Sequence, residues 1–256
     1  MKIATWNVNS VRARLDHITE WIEENQPDLL CLQEIKVQDS EFPIEAFTDL
    51  NQQVYTYGQK AYNGVAFITP HTLTDVKCGM EENEFEGQKR LIMAKLKDIT
   101  VINIYAPNGQ DPESDKFVYK ERWYKALKKL FANNFTQQDK VLICGDFNIA
   151  PEDRDVHSPD KMLGRCGFHP LEHKWLADFV SWGLTDTFRM HCDEDKIFSW
   201  WDYRHGSFAK NRGMRIDHIF VSNSLVELCK NTYIDVTPRK LERPSDHAPV
   251  VIELNI

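Results

Sequence analysis

The feature that most constrains the fold is a series of short, apolar, β-branched-rich runs spread over the whole chain. Runs of this length, bounded by turn residues, are typical of buried β-strands. They occupy residues 2–8, 28–34, 63–69, 90–96, 99–106, 140–146, 215–221 and 248–254. Some of these runs are separated by helical patterns, whereas others follow one another directly. The order predicts an α/β fold with mixed β-sheets covered by helices.

Three segments between the strands have the periodicity of amphipathic helices. Ser10 is the predicted N-cap of the first, over residues 11–24. The apolar positions of the three segments are Val11, Leu15, Ile18 and Ile22, then Trp123, Leu127, Leu130 and Phe131, then Trp175, Phe179 and Trp182. This spacing favours packing against the core over a cofactor-binding role.

Composition places the chain among ordinary globular proteins. Its 256 residues are 42% hydrophobic and 27% charged, without a linker or low-complexity tract, which predicts a single domain over residues 1–256. No apolar run approaches the roughly 20 residues that cross a bilayer, so no membrane partner is expected. Six scattered cysteines, without a CxxC pair, and a start that lacks a secretory signal predict reduced thiols in a cytoplasmic protein.

Net charge gives two opposing indications about partners. The value of −8 argues against binding to nucleic acid. The acids are clustered, however, at residues 81–86, 111–115 and 193–195, whereas the segment from Arg204 to Arg215 carries four cations and no acid. A locally basic groove and a group of carboxylates around a cation both remain open.

Polar side chains recur where predicted strands end. One strand ends in Asn7-x-Asn9 and another in Asp146-x-Asn148, and residues i and i+2 of a strand share a face. This repeat fits two equivalent strand ends that meet at one site, although an Asx-turn would explain residues 145–148 equally well. Glu34 ends a third apolar run, where a charge is costly unless it is paired or binds a metal. A strand-end carboxylate facing water is the alternative.

Asp246 and His247 lie side by side just before the last predicted strand. Neighbouring strand side chains point to opposite faces, so a carboxylate that orients His247 should come from another strand. Asp217, a lone acid at the start of an apolar run, is the obvious donor, which leaves Asp246 free to ligate a metal. His218 follows Asp217 and should face the other way. The alternative reading of His247 is a hydrogen-bonded loop histidine.

Together these segments resemble the exonuclease III family of bacterial DNA-repair nucleases, within the endonuclease/exonuclease/phosphatase superfamily. The motifs that carry the resemblance are WNVNSVRAR, LQEIK, NIYAPNG, GDFNIAP, FSWWDYR, NRGMRIDH and PSDHAPV, in this order from end to end of the chain. The resemblance implies a four-layer α/β sandwich, with two mixed β-sheets packed face to face and flanked by helices. It also implies hydrolysis of phosphodiester bonds 5′ to abasic sites, with 3′–5′ exonuclease and 3′-phosphodiesterase activity on double-stranded DNA.

The resemblance also implies roles for individual residues. Glu34 corresponds to the main metal ligand, Asn7 lies near the metal, and Asp246 is a further ligand. Asp146 activates or orients the attacking water, and Asn148 helps to position the phosphate. Asp217 and His247 form a dyad at the scissile phosphate. Tyr105 is the active-site tyrosine, as a hydroxyl donor or as a phenolate. The groups expected to catalyse or to contact the metal are Asn7, Glu34, Tyr105, Asp146, Asn148, Asp217, Asp246 and His247.

These candidate ligands are carboxylates and amides with one imidazole, and none is a thiolate. Such a set favours Mg²⁺, with Mn²⁺ as a substitute, over Zn²⁺. The expected partner is double-stranded DNA with abasic sites or damaged 3′ ends, bound by a monomer.

Aromatic and basic residues alternate between Phe198 and Arg215, as expected of a DNA-binding segment. An aromatic such as Trp200 could enter the gap at an abasic site, although Trp200 or Trp201 should be a core residue. The predicted DNA contacts are Arg90, Gln110, Lys116, Trp200, Arg204, Lys210, Arg212 and Arg215. Two alternatives remain: a phosphodiesterase or phosphatase for a substrate other than nucleic acid, and a nucleic-acid-binding module without activity.

Overall fold

The computed structural model describes residues 1–80, 85 and 87–256, so most of the acidic run 81–86 lies outside the described residues. The strands are β1 (Lys2–Asn7), β2 (Leu29–Gln33), β3 (Gln53–Tyr57), β4 (Val65–Thr69), β5 (Thr74–Cys78), β6 (Leu91–Leu96), β7 (Ile99–Tyr105), β8 (Val141–Asp146), β9 (Leu184–Asp186), β10 (Trp200–Trp201), β11 (Gly213–Met214), β12 (Asp217–Ser222), β13 (Cys229–Ile234) and β14 (Val250–Leu254). The α-helices are α1 (Leu15–Asn25), α2 (Ile44–Thr48), α3 (Asp115–Asn134), α4 (Pro159–Met162), α5 (Pro170–Val180), α6 (Thr187–His191) and α7 (Asn223–Val226).

The strands form two six-stranded mixed sheets and one small ribbon. The first sheet has the order β13-β14-β1-β2-β4-β3, and the second has the order β5-β6-β7-β8-β12-β9. In each sheet one central pair is parallel, β1 with β2 and β7 with β8, and the other pairs are antiparallel. The ribbon pairs β10 with β11. Within the described residues, no helix is long and apolar enough to cross a membrane.

Alternation along the strands explains the layers. On β8, Leu142 and Cys144 face the core between the sheets, whereas Val141 and Ile143 face the helices. Helices α3 and α5 cover the outer face of the second sheet, and α1 and α2 cover that of the first. The result is the expected four-layer sandwich, and the predicted fold class is confirmed. One apolar core lies between the two sheets.

Most predicted elements are present, but their ends shift. All eight predicted strands occur, and all six cysteines are free thiols. The predicted cap at Ser10 is wrong, because a short 3₁₀ turn over Arg12–Arg14 precedes α1, which begins at Leu15. Ser10 Oγ instead accepts a hydrogen bond from Ala13 N at 3.4 Å. Trp182 lies beyond the end of α5 at Val180 and packs against the core from a turn.

Candidate active site

The carboxyl ends of the central parallel strands meet at one end of the sandwich. Asn7 ends β1, Tyr105 ends β7 and Asp146 ends β8, while Glu34 follows β2. The antiparallel neighbour β12 begins there as well, because Asp217 is paired with Asp146 in the sheet register. The close approach of β7 and β8 requires Gly145, since a Cβ at this position would lie 1.9 Å from Ile104 O. The topology therefore gathers polar strand ends from both sheets.

One cleft of about 240 Å³ contains most of the predicted catalytic and metal-binding residues. Its polar lining consists of Asn7, Glu34, Tyr105, Asn108, Asp146, Asn148, Asp246 and His247. Asp217 lies directly behind His247 and is almost fully buried. The two strand ends that share the polar repeat do meet, because Asn7 Nδ2 donates to Asp146 Oδ2 at 3.0 Å.

Asp146 is a buried carboxylate with few groups to stabilise its charge. Its Oδ1 accepts from the backbone N–H of Asn148 at 2.9 Å, and its Oδ2 accepts from Asn7. His247 Nε2 lies 3.8 Å from Oδ2. Burial raises the pKa of Asp146 to about 7, with a further contribution from Asp217, although His247 and the two hydrogen bonds oppose the shift. A carboxylate with a pKa near neutrality is suited to accepting a proton.

His247 is paired with Asp217 as strand alternation predicts. The ring Nδ1 donates to Asp217 Oδ2 at 2.8 Å, and Ser199 Oγ donates to the same oxygen at 2.6 Å. Burial opposes a charge on the imidazole, but Asp217 and then Asp146 outweigh it and raise the pKa of His247 to about 10. His247 is therefore an imidazolium whose Nε2 faces the cleft. His218 points away, where its Nε2 hydrogen bonds Ile149 O at 2.8 Å.

Glu34 and Tyr105 line the cleft next to each other. Glu34 adopts a left-handed backbone conformation with φ of 52°, a strained geometry that is common at functional sites. Burial raises the pKa of the Tyr105 phenol well above its usual value, and the charges of Glu34 and Asp146 raise it further. Tyr105 is thus a neutral hydroxyl in the protein alone. The Arg90 guanidinium lies 4.7 Å from the centre of the Tyr105 ring.

Asp246 is held by two donors from different parts of the chain. Asn9 Nδ2 donates to its Oδ1 at 2.9 Å, and Trp200 Nε1 donates to its Oδ2 at 3.0 Å. Burial alone would raise the pKa of Asp246, but the charge of His247 and these hydrogen bonds lower it. Asp246 is therefore an ionised carboxylate on the rim of the cleft.

Asn148 is fixed by contacts that the sequence did not indicate. Its Oδ1 accepts from Asn108 Nδ2 at 2.9 Å, and its Nδ2 donates to Ala106 O at 2.9 Å. Beneath it, the fully buried Lys120 donates to Asn148 O at 2.8 Å and pairs with Glu172. The amide keeps one further acceptor and one further donor position for a phosphate or water. Asn108, in the motif NIYAPNG, shares the signal of a polar residue after a strand.

One wall of the cleft is apolar, and the sequence indicated only Trp200 among its residues. It consists of Trp200, Met214 and Ile216, with Cys166 and Gly167 beside them. Burial raises the pKa of the Cys166 thiol to about 12, so it is protonated. These residues come from loops and from the β10–β11 ribbon, which reaches the site only through tertiary packing. The periodicity of a single strand or helix gives no sign of it.

The residues predicted to contact DNA differ in exposure. Arg90 is half-buried and donates to Gln88 Oε1 at 2.7 Å and to Tyr105 O at 3.1 Å. Gln110, Lys116, Lys210 and Arg212 are exposed, as expected. Arg204 is exposed too, but its guanidinium is paired with Asp202 at 2.6 Å. The prediction for Arg215 is wrong: its side chain is 1% exposed and pairs with Asp155 at 2.7 Å and Asp186 at 2.8 Å. The buried Asp155 and the partly exposed Asp186 thus hold Arg215 inside the protein.

The paired tryptophans have different environments. Trp201 is 3% exposed and packs with Phe198 and Ala248, so one of the two is a core residue as predicted. Trp200 is half-buried and packs against Met214 and Ile216. Its hydrogen bond to Asp246 fixes the ring in the wall of the cleft. The structure therefore does not support the prediction that Trp200 enters the base stack as a mobile wedge.

The cleft can hold a metal ion. Donor atoms of Asp146, Asp217 and His247 lie within 4.8 Å of one another. Glu34 and Asp246 add two more carboxylates. These four carboxylates outnumber the two cations beside them, His247 and Lys36, whose Nζ lies 3.4 Å from Glu34 Oε1, so negative charge is in excess. An excess of buried negative charge with oxygen donors favours binding of a hard cation.

Comparison with known proteins agrees with this geometry. The model of the Endonuclease/Exonuclease/phosphatase family matches residues 4–247. Exodeoxyribonuclease III of Haemophilus influenzae is 39% identical over 99% of this chain and 99% of its own. The structure of the 3′ phosphatase NExo from Neisseria, bound to a product DNA hairpin, superimposes with a TM-score of 0.97 at 39% identity over 100% of both chains. An AP endonuclease from Archaeoglobus fulgidus gives 0.96 at 37%, also over 100% of both chains.

Proposed function

Since the chain belongs to the endonuclease/exonuclease/phosphatase family, and is therefore a metal-dependent phosphodiester hydrolase, we propose that it is a Mg²⁺-dependent DNA-repair nuclease. It cuts 5′ to abasic sites and removes blocking groups and nucleotides from 3′ ends. The observation that carries the proposal is the cleft in which a carboxylate with a raised pKa, Asp146, faces an imidazolium, His247, beside an apolar wall.

The donor set fits Mg²⁺. Glu34 and Asp246 offer carboxylate oxygens and Asn7 offers an amide oxygen, and all three line the cleft. Neither sulfur in the lining suits Mg²⁺, because Cys166 is a protonated thiol and Met214 is a soft thioether. When bound, Mg²⁺ supplies positive charge that stabilises the phosphate as negative charge builds up during the reaction. His247 is the least suited of the predicted ligands, because it is protonated and paired with Asp217.

Asp146 acts as the general base. A pKa near 7 leaves a substantial ionised fraction at neutral pH, yet keeps the carboxylate basic enough to accept a proton from the attacking water. The hydrogen bonds from Asn7 and Asn148 hold both of its oxygens. The base is thus fixed before the substrate arrives, which lowers the entropic cost of the reaction.

His247 and Tyr105 stabilise the phosphate. The imidazolium Nε2 donates to a non-bridging oxygen, and the pairing of Nδ1 with Asp217 keeps the ring both charged and oriented. The neutral Tyr105 hydroxyl donates to another phosphate oxygen. Both donors are in place before the transition state forms, so little reorganisation is needed.

The apolar wall favours a sugar that has lost its base. Trp200, Met214 and Ile216 lie beside the polar groups in a cleft of about 240 Å³. Deoxyribose has an apolar face that can pack on such a wall, and an abasic nucleotide leaves the stack at lower cost than a paired one. The mixed lining thus supports a damaged DNA substrate over a soluble phosphate ester.

The direct test is cleavage of a duplex with one abasic site. We expect incision 5′ to the site with Mg²⁺ or Mn²⁺, no incision in EDTA, and recovery when Mg²⁺ is added back. A soluble phosphodiester measured in parallel tests the alternative substrate class. Faster turnover of that compound than of the abasic duplex would reject the proposal, and so would full activity in EDTA.

Gly167 tests the assignment of the apolar wall. A Cβ there would lie 3.1 Å from Met214 Cε, so the side chain in Gly167→Asn should enter the cleft and lower abasic-site cleavage about tenfold or more. Gly164→Asn is the matched control, because its φ of 82° resembles the 88° of Gly167 and no atom lies within 4 Å of its Cβ. Asn tolerates this backbone conformation in both variants. Equal activities of the two variants would show that the apolar wall takes no part in substrate binding.

A further inference from the structure

A fully buried ion pair lies beneath the cleft, and the mechanism described above does not use it. Lys120 of α3 and Glu172 of α5 are both 0% exposed, and Lys120 Nζ lies 2.5 Å from Glu172 Oε1. Removing two charges from water is costly, and apolar side chains of similar volume are often at least as stable in such a position. Stability of the core alone is therefore a weak reason for this pair.

The ammonium group of Lys120 joins two loops that line the cleft. It donates to Asn108 O at 3.1 Å and to Asn148 O at 2.8 Å. With the bond to Glu172, all three donors of the ammonium are used. The side chains of Asn108 and Asn148 both line the cleft, and Asn108 Nδ2 donates to Asn148 Oδ1 at 2.9 Å. One buried cation thus fixes the backbone of both amide residues.

The backbone at Asn148 depends on such contacts. Its φ of 54° is left-handed, a conformation that is uncommon outside glycine and that persists where the surroundings fix it. The Asn148 N–H donates to Asp146 Oδ1 at 2.9 Å, and its carbonyl accepts from Lys120. One turn later on α3, Tyr124 OH donates to Phe147 O at 2.5 Å. The helix therefore holds two consecutive carbonyls, and with them the direction in which the Asn148 amide enters the cleft.

Glu172 extends the same network to the apolar wall. Its Oε2 accepts from Gly167 N at 2.7 Å and from His169 N at 3.1 Å. Gly167 lines the cleft, and the neighbouring Cys166 Sγ donates to Asn108 O at 2.6 Å. The ion pair therefore connects the amide side of the cleft to its apolar side.

The other buried cation, Arg215, offers a contrast. Its side chain contacts Asp155, Asp186 and His218. Among the residues that the structure describes, none of these three partners lines the cleft. Lys120 and Arg215 are thus two buried cations of which one is bonded to residues of the cleft and the other is not.

We propose that Lys120, held by Glu172, is a positioning residue that fixes the amides of Asn108 and Asn148 against the phosphate, an inference that rests on the proposed nuclease function. The ammonium is fully buried and touches no substrate. Its effect is therefore on the rate of the step at the phosphate, because a small displacement of a positioned group slows the reaction strongly. The affinity for DNA depends on other surfaces and should be little affected.

The test variant combines Lys120→Met with Glu172→Gln. Met has a similar length without the charge, and Gln keeps an oxygen that can accept from Gly167 N, so no buried charge is left unpaired. The matched control is Arg215→Met. In single-turnover cleavage of an abasic duplex with saturating Mg²⁺, we expect the test variant to be about tenfold slower per folded molecule and the control to be within about twofold of the wild type. Binding to the same duplex in EDTA should change by less than about twofold in both.

Coupling to Asn148 distinguishes positioning from general damage to the fold. Asn148→Gly removes the amide and accepts the left-handed backbone, and it should slow cleavage about 10²-fold. Adding the two test substitutions to Asn148→Gly should slow cleavage by no more than about threefold further, because the amide that Lys120 positions is already absent. Tyr124→Phe removes one hydroxyl and no charge, and it should slow cleavage about threefold in the wild type but not in Asn148→Gly.

Two results would overturn the proposal. One is a test variant that cleaves at the rate of the wild type. The other is a loss by the same factor in the wild-type and Asn148→Gly backgrounds, which would show a structural role that does not act through Asn148.

Hydrogen exchange separates this inference from the nuclease function. In the protein without DNA, the backbone amides of residues 146–149 should exchange about tenfold faster in the test variant than in Arg215→Met, after correction for global unfolding. If the wild type does not cleave the abasic duplex, the nuclease function fails, and faster exchange still supports the positioning role whereas equal exchange rejects it. If the wild type cleaves and the test variant matches it, the positioning role alone is rejected.

Discussion

Two clusters of buried charge lie close together in this protein and differ in how completely they are paired. Asp146, in the cleft, is 2% exposed, and Asp155, behind it, is 0% exposed. Asp155 accepts hydrogen bonds from Arg215 at 2.7 and 3.1 Å and another from Arg189. Asp146 faces two amide-type donors and a more distant imidazolium. Burial is similar, but the local charge is balanced at Asp155 and negative around Asp146.

The difference appears in the pKa values. Burial raises the pKa of Asp146 to about 7, and the hydrogen bonds and the imidazolium around it are too weak to offset this effect. Burial would also raise the pKa of Asp155, but Arg215 and Arg189 outweigh this effect and lower it. A fully paired buried carboxylate remains ionised and holds the scaffold. A poorly paired one is available to accept a proton or to face a cation, which is what the proposed hydrolysis requires.

The largest expected effect concerns the Asp217–His247 pair. Asp217→Asn and His247→Ala should each lower single-turnover cleavage of an abasic duplex at least about 10²-fold, because both changes remove the oriented imidazolium. The double variant should be little worse than either single one. Circular dichroism checks the fold of each variant. Losses that multiply in the double variant would show that the two residues act independently.

A change in the paired cluster of Asp155 and Arg215 should lower stability and leave cleavage almost unchanged. Arg215→Met removes one of the two arginines that neutralise the buried charge of Asp155, and it should lower the free energy of unfolding by about 3–5 kcal/mol. Cleavage per folded molecule should change little. Arg212→Met, at an exposed position three residues earlier, should change the free energy of unfolding by less than about 0.5 kcal/mol.

Urea unfolding and duplex binding measured on both variants give the comparison. Stronger destabilisation by Arg212→Met than by Arg215→Met would contradict the burial of Arg215.

A smaller effect is expected in the pH dependence of stability without metal. The pKa of Asp146 is raised to about 7 in the folded protein from an ordinary value of 3.8, so the folded state binds more protons between these values. The free energy of unfolding contributed by Asp146 therefore falls as pH rises through this window. Relative to the wild type, Asp146→Asn should gain about 1–2 kcal/mol between pH 5 and 6.5.

The contribution of Asp155 to the free energy of unfolding changes with pH in the opposite direction. Because the pKa of Asp155 is lowered, this contribution is present above pH 3.8 and is lost on acidification. Urea titrations in EDTA at the two pH values measure the change for Asp146→Asn. A constant difference between this variant and the wild type would show that the pKa of Asp146 is not raised.

The sequence predicted the residues whose position depends on strand periodicity. Asn7, Glu34 and Asp146 were found because a polar residue directly after an apolar strand is a local signal, and the Asp217–His247 pairing followed from alternation. The edge strands β3, β5 and β13 were missed because much of their surface is exposed and their apolar pattern is weak. The prediction for Arg215 failed because its partner Asp155 is 60 residues away in sequence. Charge alone does not distinguish a buried arginine from an exposed one.

The central claim is that Asp146 serves chemistry and Asp155 serves the scaffold, and one paired measurement tests it most directly. Asp146→Asn and Asp155→Asn make the same chemical change at two buried positions. On the same preparations, urea unfolding gives stability, and single-turnover cleavage of an abasic duplex in Mg²⁺ gives activity per folded molecule. Asp146→Asn should lose at least about 10²-fold in rate with unchanged or higher stability, whereas Asp155→Asn should lose about 2–4 kcal/mol of stability and little activity. If Asp155→Asn impairs cleavage as strongly as Asp146→Asn, or if Asp146→Asn is the less stable variant, the account is contradicted.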